Sequence, residues 1–291
     1  VKERIVIIGA GPAGAAAAIQ LKRSGFDPLV LEENQPGGTL REARLVENYP
    51  GFPEGIPGET LADLIVDHLS RLHVRLRITC VLKVIPLPSA LIVETDDEHI
   101  ETERLIVASG SKPCSWNGPS FPTNISGRIH SSIREIKELH GSKAAVIGGG
   151  DVAYDYALSL ADRGWEVFII RRSEDGRALS LLQKRVSGIS SIHEVIGFNL
   201  ITMEPQPDGI ILSGSSPGEE KRMIRVDRIL LATGREPNLA FLGQDESWAR
   251  RRKDVRIIGD AANGIFRQTA IAAGDGVRTA MALIHEMDKR I

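Results

Sequence analysis

The sequence predicts an α/β protein with two Rossmann-like dinucleotide-binding folds, and two glycine-rich strand-to-helix turns carry that expectation. The first runs from the apolar Ile5-Val6-Ile7-Ile8 through Gly9-Ala10-Gly11-Pro12-Ala13-Gly14 into an alanine-rich helical stretch ending near Arg23. The second runs from Lys143-Ala144-Ala145-Val146-Ile147 through Gly148-Gly149-Gly150-Asp151-Val152-Ala153 into a helical run ending near Arg163. The chain has 291 residues, and an ordinary domain takes ~100 to 200, so there is length for two cores.

Ile5 to Ile8 is a continuous β-branched run, which suits a parallel strand buried on both faces. In the turn after it, Gly9 permits a tight bend, Gly11 leaves room for a pyrophosphate, and Gly14 lets helix and strand pack closely. Pro12 and Ala13 open the helix, whose free amides face the phosphates. A second strand over Pro28 to Leu31 leads to Glu32, 18 residues after Gly14. A carboxylate there accepts hydrogen bonds from a ribose hydroxyl, and Glu33 is the neighbouring alternative.

The second turn reads G-x-G-x-x-A, with Gly148, Gly150, Asp151 and Val152 as its candidate binding residues. Its next strand, Trp165 to Ile170, ends at Arg171-Arg172, with Arg177 shortly after. Arginines in place of an acid exchange a 2′-hydroxyl acceptor for a cationic site that suits a 2′-phosphate. NADP(H) is therefore favoured at this turn, with NAD(H) as the alternative. Two dinucleotide folds in one chain mean two dinucleotides or one duplicated module with a dead copy, and the simplest chemistry for two is hydride transfer from a nicotinamide to a second, redox-active dinucleotide.

Composition narrows the class. Hydrophobic residues make up 42% and charged residues 25% of the chain, which is globular and neither disordered nor fibrous. With 36 basic and 38 acidic side chains the net charge is −2, which gives no drive toward nucleic acid or an anionic membrane. No apolar run approaches the ~18 residues of a membrane span. Cys80 and Cys114 stand 34 positions apart without a C-x-x-C, so neither a metal site nor a disulfide framework is expected. Cytoplasmic residence is the default expectation.

Further motifs resemble the low-molecular-weight thioredoxin reductases and the related two-domain ferredoxin-NADP reductases along nearly the whole chain. Gly37-Gly38-Thr39-Leu40 is similar to the family's G-G-Q-L turn beside FAD, and Glu47-Asn48-Tyr49-Pro50-Gly51-Phe52 matches its E-N-Y-P-G-F segment. Ala108-Ser109-Gly110 and Ala232-Thr233-Gly234 resemble its two A-T-G motifs. Gly259-Asp260 with Arg267-Gln268-Thr269 resembles the G-D and R-Q-A pieces that close over the flavin. Arg171, Arg172 and Arg177 resemble an H-R-R-x-x-x-R phosphate clamp, with Ile170 where histidine is usual, and Val81 falls where the family contacts adenine. The resemblance implies FAD at the first turn and NADPH at the second. It implies two three-layer ββα/βαβ domains: an FAD domain from 1–113 and 237–291, with a nucleotide domain over 114–236 inserted in it. The crossings would fall at Lys112 to Pro119 and at Glu236-Pro237-Asn238, and a homodimer through the FAD domain is implied as well.

Two departures bear on activity. The dithiol enzymes carry a C-x-x-C just ahead of the second turn, and this chain has Ser131-Ser132-Ile133-Arg134 there. Serine forms no thiolate to attack a disulfide. Thioredoxin reduction by the usual internal route is excluded, and the expected acceptor is ferredoxin, flavodoxin, a quinone or a small molecule. The alternatives are an enzyme that uses a partner's dithiol, or a non-catalytic redox sensor. No side chain need act as acid or base; His130, beside the vacant cysteine position, is expected to be an exposed loop residue, and Cys80 a strand residue. The second departure is the segment between Asn238 and Gly259, only 20 residues long and shorter than the family's by about a strand pair. Its Arg250-Arg251-Arg252-Lys253 run is either a solvated loop or a dock for an acidic protein.

Overall fold

The computed structural model describes residues 1–137, 142–216 and 221–288. In chain order, β1 (Lys2–Ile8), α1 (Pro12–Arg23), β2 (Leu29–Glu32), α2 (Gly58–Arg71) and β3 (Arg75–Ile78) form two βα repeats and a strand. An antiparallel meander follows: β4 (Val81–Pro86), β5 (Leu91–Thr95) and β6 (His99–Val107). After β7 (Ser111–Pro113) and β8 (Ile129–His130) comes a second βα series, β9 (Lys143–Ile147), α3 (Asp151–Asp162), β10 (Glu166–Arg171), α4 (Ser180–Ser187) and β11 (Ile192–Ile196). A second meander holds β12 (Asn199–Gln206), β13 (Gly209–Ser215) and β14 (Arg222–Val226). The chain ends through β15 (Arg228–Leu231), β16 (Arg235–Pro237), α5 (Ser247–Arg251), β17 (Val255–Ile257) and α6 (Thr269–Asp288).

These elements form two compact units, one of Val1–Lys112 with Glu236–Ile291 and the other of Pro113–Arg235. Both are Rossmann-like α/β folds with a parallel sheet and an antiparallel three-strand element. In the first unit the sheet order is β3-β2-β1-β6-β5-β4. β6 serves two neighbours on one side: its first half pairs antiparallel with β5 and its last residues pair parallel with β17. In the second unit the order is β11-β10-β9-β15-β8, parallel throughout, beside the separate β12-β13-β14 sheet.

The short segment ahead of Gly259 keeps β17 in register, with Val255 opposite Leu105 and Ile257 opposite Val107. Trp248 of α5 packs onto the core beside Leu242, whose carbonyl accepts its indole N–H at 3.0 Å. Arg252 donates to Leu87 O and Ala90 O and forks onto Asp254, so it staples this segment to the β4–β5 turn. That pairing holds the Asp254 carboxyl below the usual carboxylate range. Among the described residues no helix is long and apolar enough to cross a membrane, and no group of His, Cys, Asp and Glu is placed to hold a metal ion.

Small residues let α6 lie against α1. Ala13, Ala17 and Ala18 meet Ala272 and Ala280 in one buried cluster. A Cβ on Gly276 would come within 2.2 Å of the Ala13 carbonyl oxygen and 2.9 Å of the Ala17 nitrogen. Both atoms are backbone, so relief requires the helices to move apart. Gly276→Ala is therefore expected to lower stability by about 1 to 3 kcal/mol despite alanine's better helix propensity. Urea unfolding followed by circular dichroism measures it, and a gain in stability would contradict the close approach.

Candidate functional site

The two glycine turns are built alike. Gly9 has φ +99° and donates its N–H to Leu31 O at 2.7 Å; a Cβ there would meet Ala108 O at 2.4 Å. Gly148 has φ +155° and donates to Ile170 O at 3.0 Å; a Cβ there would meet Ala232 O at 2.2 Å. Only glycine tolerates both demands, the left-handed backbone and the contact with a neighbouring strand end. The A-S-G and A-T-G motifs are thus the other half of each turn: Ala108 follows β6 and Ala232 follows β15, each carbonyl covering its glycine.

In the first unit, residues far apart in sequence gather at the carboxyl ends of β1, β2, β6 and β17, where open α/β sheets bind ligands. The Glu32 carboxylate accepts from Ala10 N–H at 2.7 Å and from Asn34 N–H at 3.1 Å, so it faces the glycine turn. Glu33 is exposed instead, with one oxygen 3.8 Å from Cys80 Sγ. Gly37 N–H reaches Ala10 O at 2.9 Å, and the backbones of Gly11 and Gly38 nearly touch. Thr39 is exposed and Leu40 buried in the short 3-10 helix that follows. Pro12 and Ala13 sit at the start of α1, and a Cβ on Gly259 would lie 2.8 Å from that of Ala13. Asn48 donates to Gln268 at 2.6 Å, which joins the E-N-Y-P-G-F segment to the residues leading into α6. Ser109 Oγ donates to Asn238 O, and Asn238 N–H reaches Gly110 O at 3.0 Å. Asp260 follows Gly259 in a 3-10 turn, while Arg267 and Thr269 flank Gln268 at the head of α6. Val81 lies just beyond Thr79, whose N–H meets Glu32 O at 2.9 Å.

This edge fits an FAD: a glycine cradle that any side chain would fill, a helix N-terminus without its own capping side chain, and a carboxylate at the end of β2. Two supports beneath it carry no motif in the sequence. Arg41, with its side chain 3% exposed, donates to Pro36 O at 2.6 Å and to Asp63 at 2.8 Å, bracing the Gly37-Gly38 turn against α2. Asp275, buried in α6, accepts from Gly259 N–H at 3.3 Å, Asn263 at 2.6 Å and Arg278 at 2.7 Å.

In the second unit the loop after β10 is one residue longer than an R-R-x-x-x-R spacing, with Ser173-Glu174-Asp175-Gly176 between Arg172 and Arg177. Its end is pinned to the glycine turn by Arg177 N–H to Gly149 O at 3.0 Å. Asp151 is engaged in the same way, since its carboxylate accepts from Leu179 N–H at 2.8 Å. Gly150 precedes α3 in extended backbone, Val152 is exposed on its first turn, and Gly234 O accepts from Cys114 N–H at 3.0 Å. Arg172 and Arg177 are exposed, whereas Arg171 turns inward with its side chain 9% exposed.

At the dithiol position stands a capped 3-10 turn. Ser132 Oγ accepts from Arg134 N–H while Glu135 accepts from Ser132 N–H at 3.1 Å and from Ser131 Oγ. His130 is not the exposed loop residue expected: it lies on β8, paired with β15, its side chain only 12% exposed and its Nδ1 3.3 Å from Glu135. Cys80 is not in a strand either, because the chain turns there between β3 and β4. Burial and the neighbouring Glu33 push its thiol pKa up, so it resists forming a thiolate. The basic run also divides: Arg252 is spent on its staple and Arg250 pairs with Glu246 at 3.0 Å. The run precedes β17, at the end of that strand opposite Gly259.

Asp275→Ala leaves Gly259 N–H, Asn263 and Arg278 short of an acceptor and is expected to cost about 1 to 3 kcal/mol. It should also make the protein lose FAD on gel filtration, which the absorbance ratio of flavin to protein reports; retention equal to wild type would contradict the support.

The family described as pyridine nucleotide-disulphide oxidoreductase matches residues 3–287. A thioredoxin reductase of Mycolicibacterium smegmatis is 30% identical over 290 residues, spanning 94% of this chain and 92% of that one. A "34.2 kDa protein in rubredoxin operon" of Clostridium pasteurianum is 28% identical over 304 residues, spanning 95% and 94%. The thioredoxin reductase of Lactococcus lactis in its FR conformation superposes with a TM-score of 0.87 at 25% identity, covering 97% of this chain and 99% of that one. With the paired glycine turns and the capped serine turn in view, the chain belongs to the pyridine nucleotide-disulphide oxidoreductase family, as an FAD- and NAD(P)H-dependent flavoprotein oxidoreductase of thioredoxin reductase-like fold without the redox-active cysteine pair.

Proposed function

We propose that this flavoprotein carries electrons from NADPH through FAD to a disulfide that belongs to another molecule, a partner protein or a small disulfide. The observation that carries the reading is the turn at Ser131 to Glu135, where the Ser131 hydroxyl meets the Glu135 carboxylate, the Ser132 hydroxyl accepts from Arg134 N–H, and no sulfur is supplied. A family whose relatives include thioredoxin reductases at this similarity favours a disulfide acceptor. The basic run gives little support to an acidic carrier such as ferredoxin or flavodoxin, since two of its arginines are already paired.

In this reading FAD lies on Gly9, Gly11, Pro12, Ala13 and Gly14, with Glu32 toward its adenosine ribose and Val81 near adenine. Gly38, Thr39, Leu40, Asn48, Ala108, Gly110, Gly259, Asp260, Arg267, Gln268 and Thr269 line the rest of it. NADPH lies on Gly148, Gly150, Asp151 and Val152, beside Gly234, with arginines of the β10 loop toward its 2′-phosphate. The bound pair supplies hydride transfer from nicotinamide to flavin. The protein's part is orientation: the glycine turns bring backbone amides to the pyrophosphates, and the covering carbonyls of Ala108 and Ala232 fix each turn. The acceptor's S–S bond takes two electrons and two protons and leaves as two thiols. Val1–Lys112 with Glu236–Ile291 then acts as the FAD domain and Pro113–Arg235 as the nucleotide domain.

Anaerobic stopped-flow mixing with NADPH is expected to bleach the flavin band faster than NADH does at equal concentration. Reoxidation is then expected with a protein or low-molecular-weight disulfide and not with ferredoxin, flavodoxin or a quinone. Reoxidation by one of those carriers alone would overturn the disulfide reading, and no bleaching by either nucleotide would overturn the enzyme.

A further inference from the structure

Beneath the β10 loop, three charged or polar side chains from different elements meet: Tyr154 and Arg171 are withdrawn from solvent, and the Glu194 side chain is 27% exposed. Tyr154, fully buried on α3, donates its hydroxyl to Glu194 Oε1 on β11. Arg171, at the end of β10, holds its Nε 3.7 Å from that same oxygen. Its Nη1 donates to Ser173 O at 2.9 Å and to Glu174 O. The stem of Arg171 lies across the glycine turn, its Cβ and Cδ each 3.4 Å from where a Cβ on Gly149 would be. Burial and the Glu194 carboxylate push the Tyr154 phenol up to about 12, so it remains a donor.

A guanidinium whose side chain is 9% exposed, holding two carbonyls of its own loop and facing a carboxylate, is not presented to a ligand. The exposed charges of the loop are then Arg172 and Arg177 against Glu174 and Asp175. Losing either exposed arginine leaves the loop net negative toward an anion.

We propose that Glu194, oriented by Tyr154, withdraws Arg171 from ligand recognition and makes it a positioning residue that shapes the loop, so that Arg172 and Arg177 alone discriminate a 2′-phosphorylated adenosine from its 2′-hydroxyl counterpart. The inference rests on the second glycine turn being the nicotinamide nucleotide site. It departs from the sequence expectation that all three arginines form one phosphate clamp.

Calorimetric titration of the FAD-loaded protein with 2′,5′-ADP and with 5′-ADP separates the roles. Wild type is expected to prefer 2′,5′-ADP. Arg172→Gln and Arg177→Gln should each reduce that preference about tenfold or more, the loss expected for a charge-assisted contact to phosphate. Arg171→Met and Glu194→Gln should weaken both ligands by a common factor and keep the preference within about twofold, because a distorted loop misplaces the whole adenosine end. Tyr154→Phe, which removes only a hydroxyl, gives the same pattern should Arg171→Met fail to fold. Arg171→Lys keeps the charge without the fork and should behave as Arg171→Met. In all four of these positioning variants KM for NADPH and NADH should rise together while the limiting rate of flavin reduction stays at the wild-type value.

Selective loss of 2′,5′-ADP binding in Arg171→Met, matching that in Arg172→Gln, would overturn the proposal. So would an unchanged preference in both Arg172→Gln and Arg177→Gln, or equal binding of the two ligands by wild type. Binding of neither ligand by wild type would overturn the reading of the turn itself, and the proposal with it.

Discussion

Each unit is organised around one close approach, a glycine seated against the carbonyl that ends a neighbouring strand. At Gly9 the carbonyl is that of Ala108, and at Gly148 it is that of Ala232. The contact fixes where the strand stops and where the helix begins, so it sets the direction in which the free amides of α1 and α3 point. Everything else at either edge is arranged about that direction. Glu32 turns its carboxylate to Ala10 N–H, Gly37 hydrogen-bonds Ala10 O, and Arg177 reaches back to Gly149 O. A side chain at either glycine would push the covering strand away and take these partners with it.

The supports behind these edges lie far away in sequence. Asp275 sits in the last helix and holds Gly259, Asn263 and Arg278 with one carboxylate. Arg41 ties the Gly37-Gly38 turn to α2, and Arg252 ties the shortened segment to the β4–β5 turn. That staple keeps β17 beside β6, so Gly259 still arrives next to Ala13 although the connection is short.

What the sequence reveals divides along the range of the interaction. Both glycine turns and Glu32 were legible because strand, turn, helix and acid follow one another locally and the chemistry of each position is set by backbone geometry. The inward course of Arg171 was not, because its partner Glu194 comes from β11, whose place beside β10 is fixed only by the sheet. His130 read as a loop residue because a two-residue strand has no periodicity to detect, and its burial depends on pairing with β15, a hundred residues later. Asp275 carries no signal of its own, since nothing near it in sequence announces that Gly259 lies within reach. The absent cysteine pair, by contrast, was plain from residue identity alone, and the structure adds that the serines are occupied in a cap.

In the proposed function electrons leave the flavin without an internal dithiol. Titrating the FAD-loaded protein anaerobically with dithionite, following the flavin spectrum, counts the electrons that the chain accepts. Full reduction with one two-electron equivalent per flavin is the result predicted. Uptake of a second two-electron equivalent per flavin, before or with the bleaching, would contradict it by revealing a further redox centre in the chain.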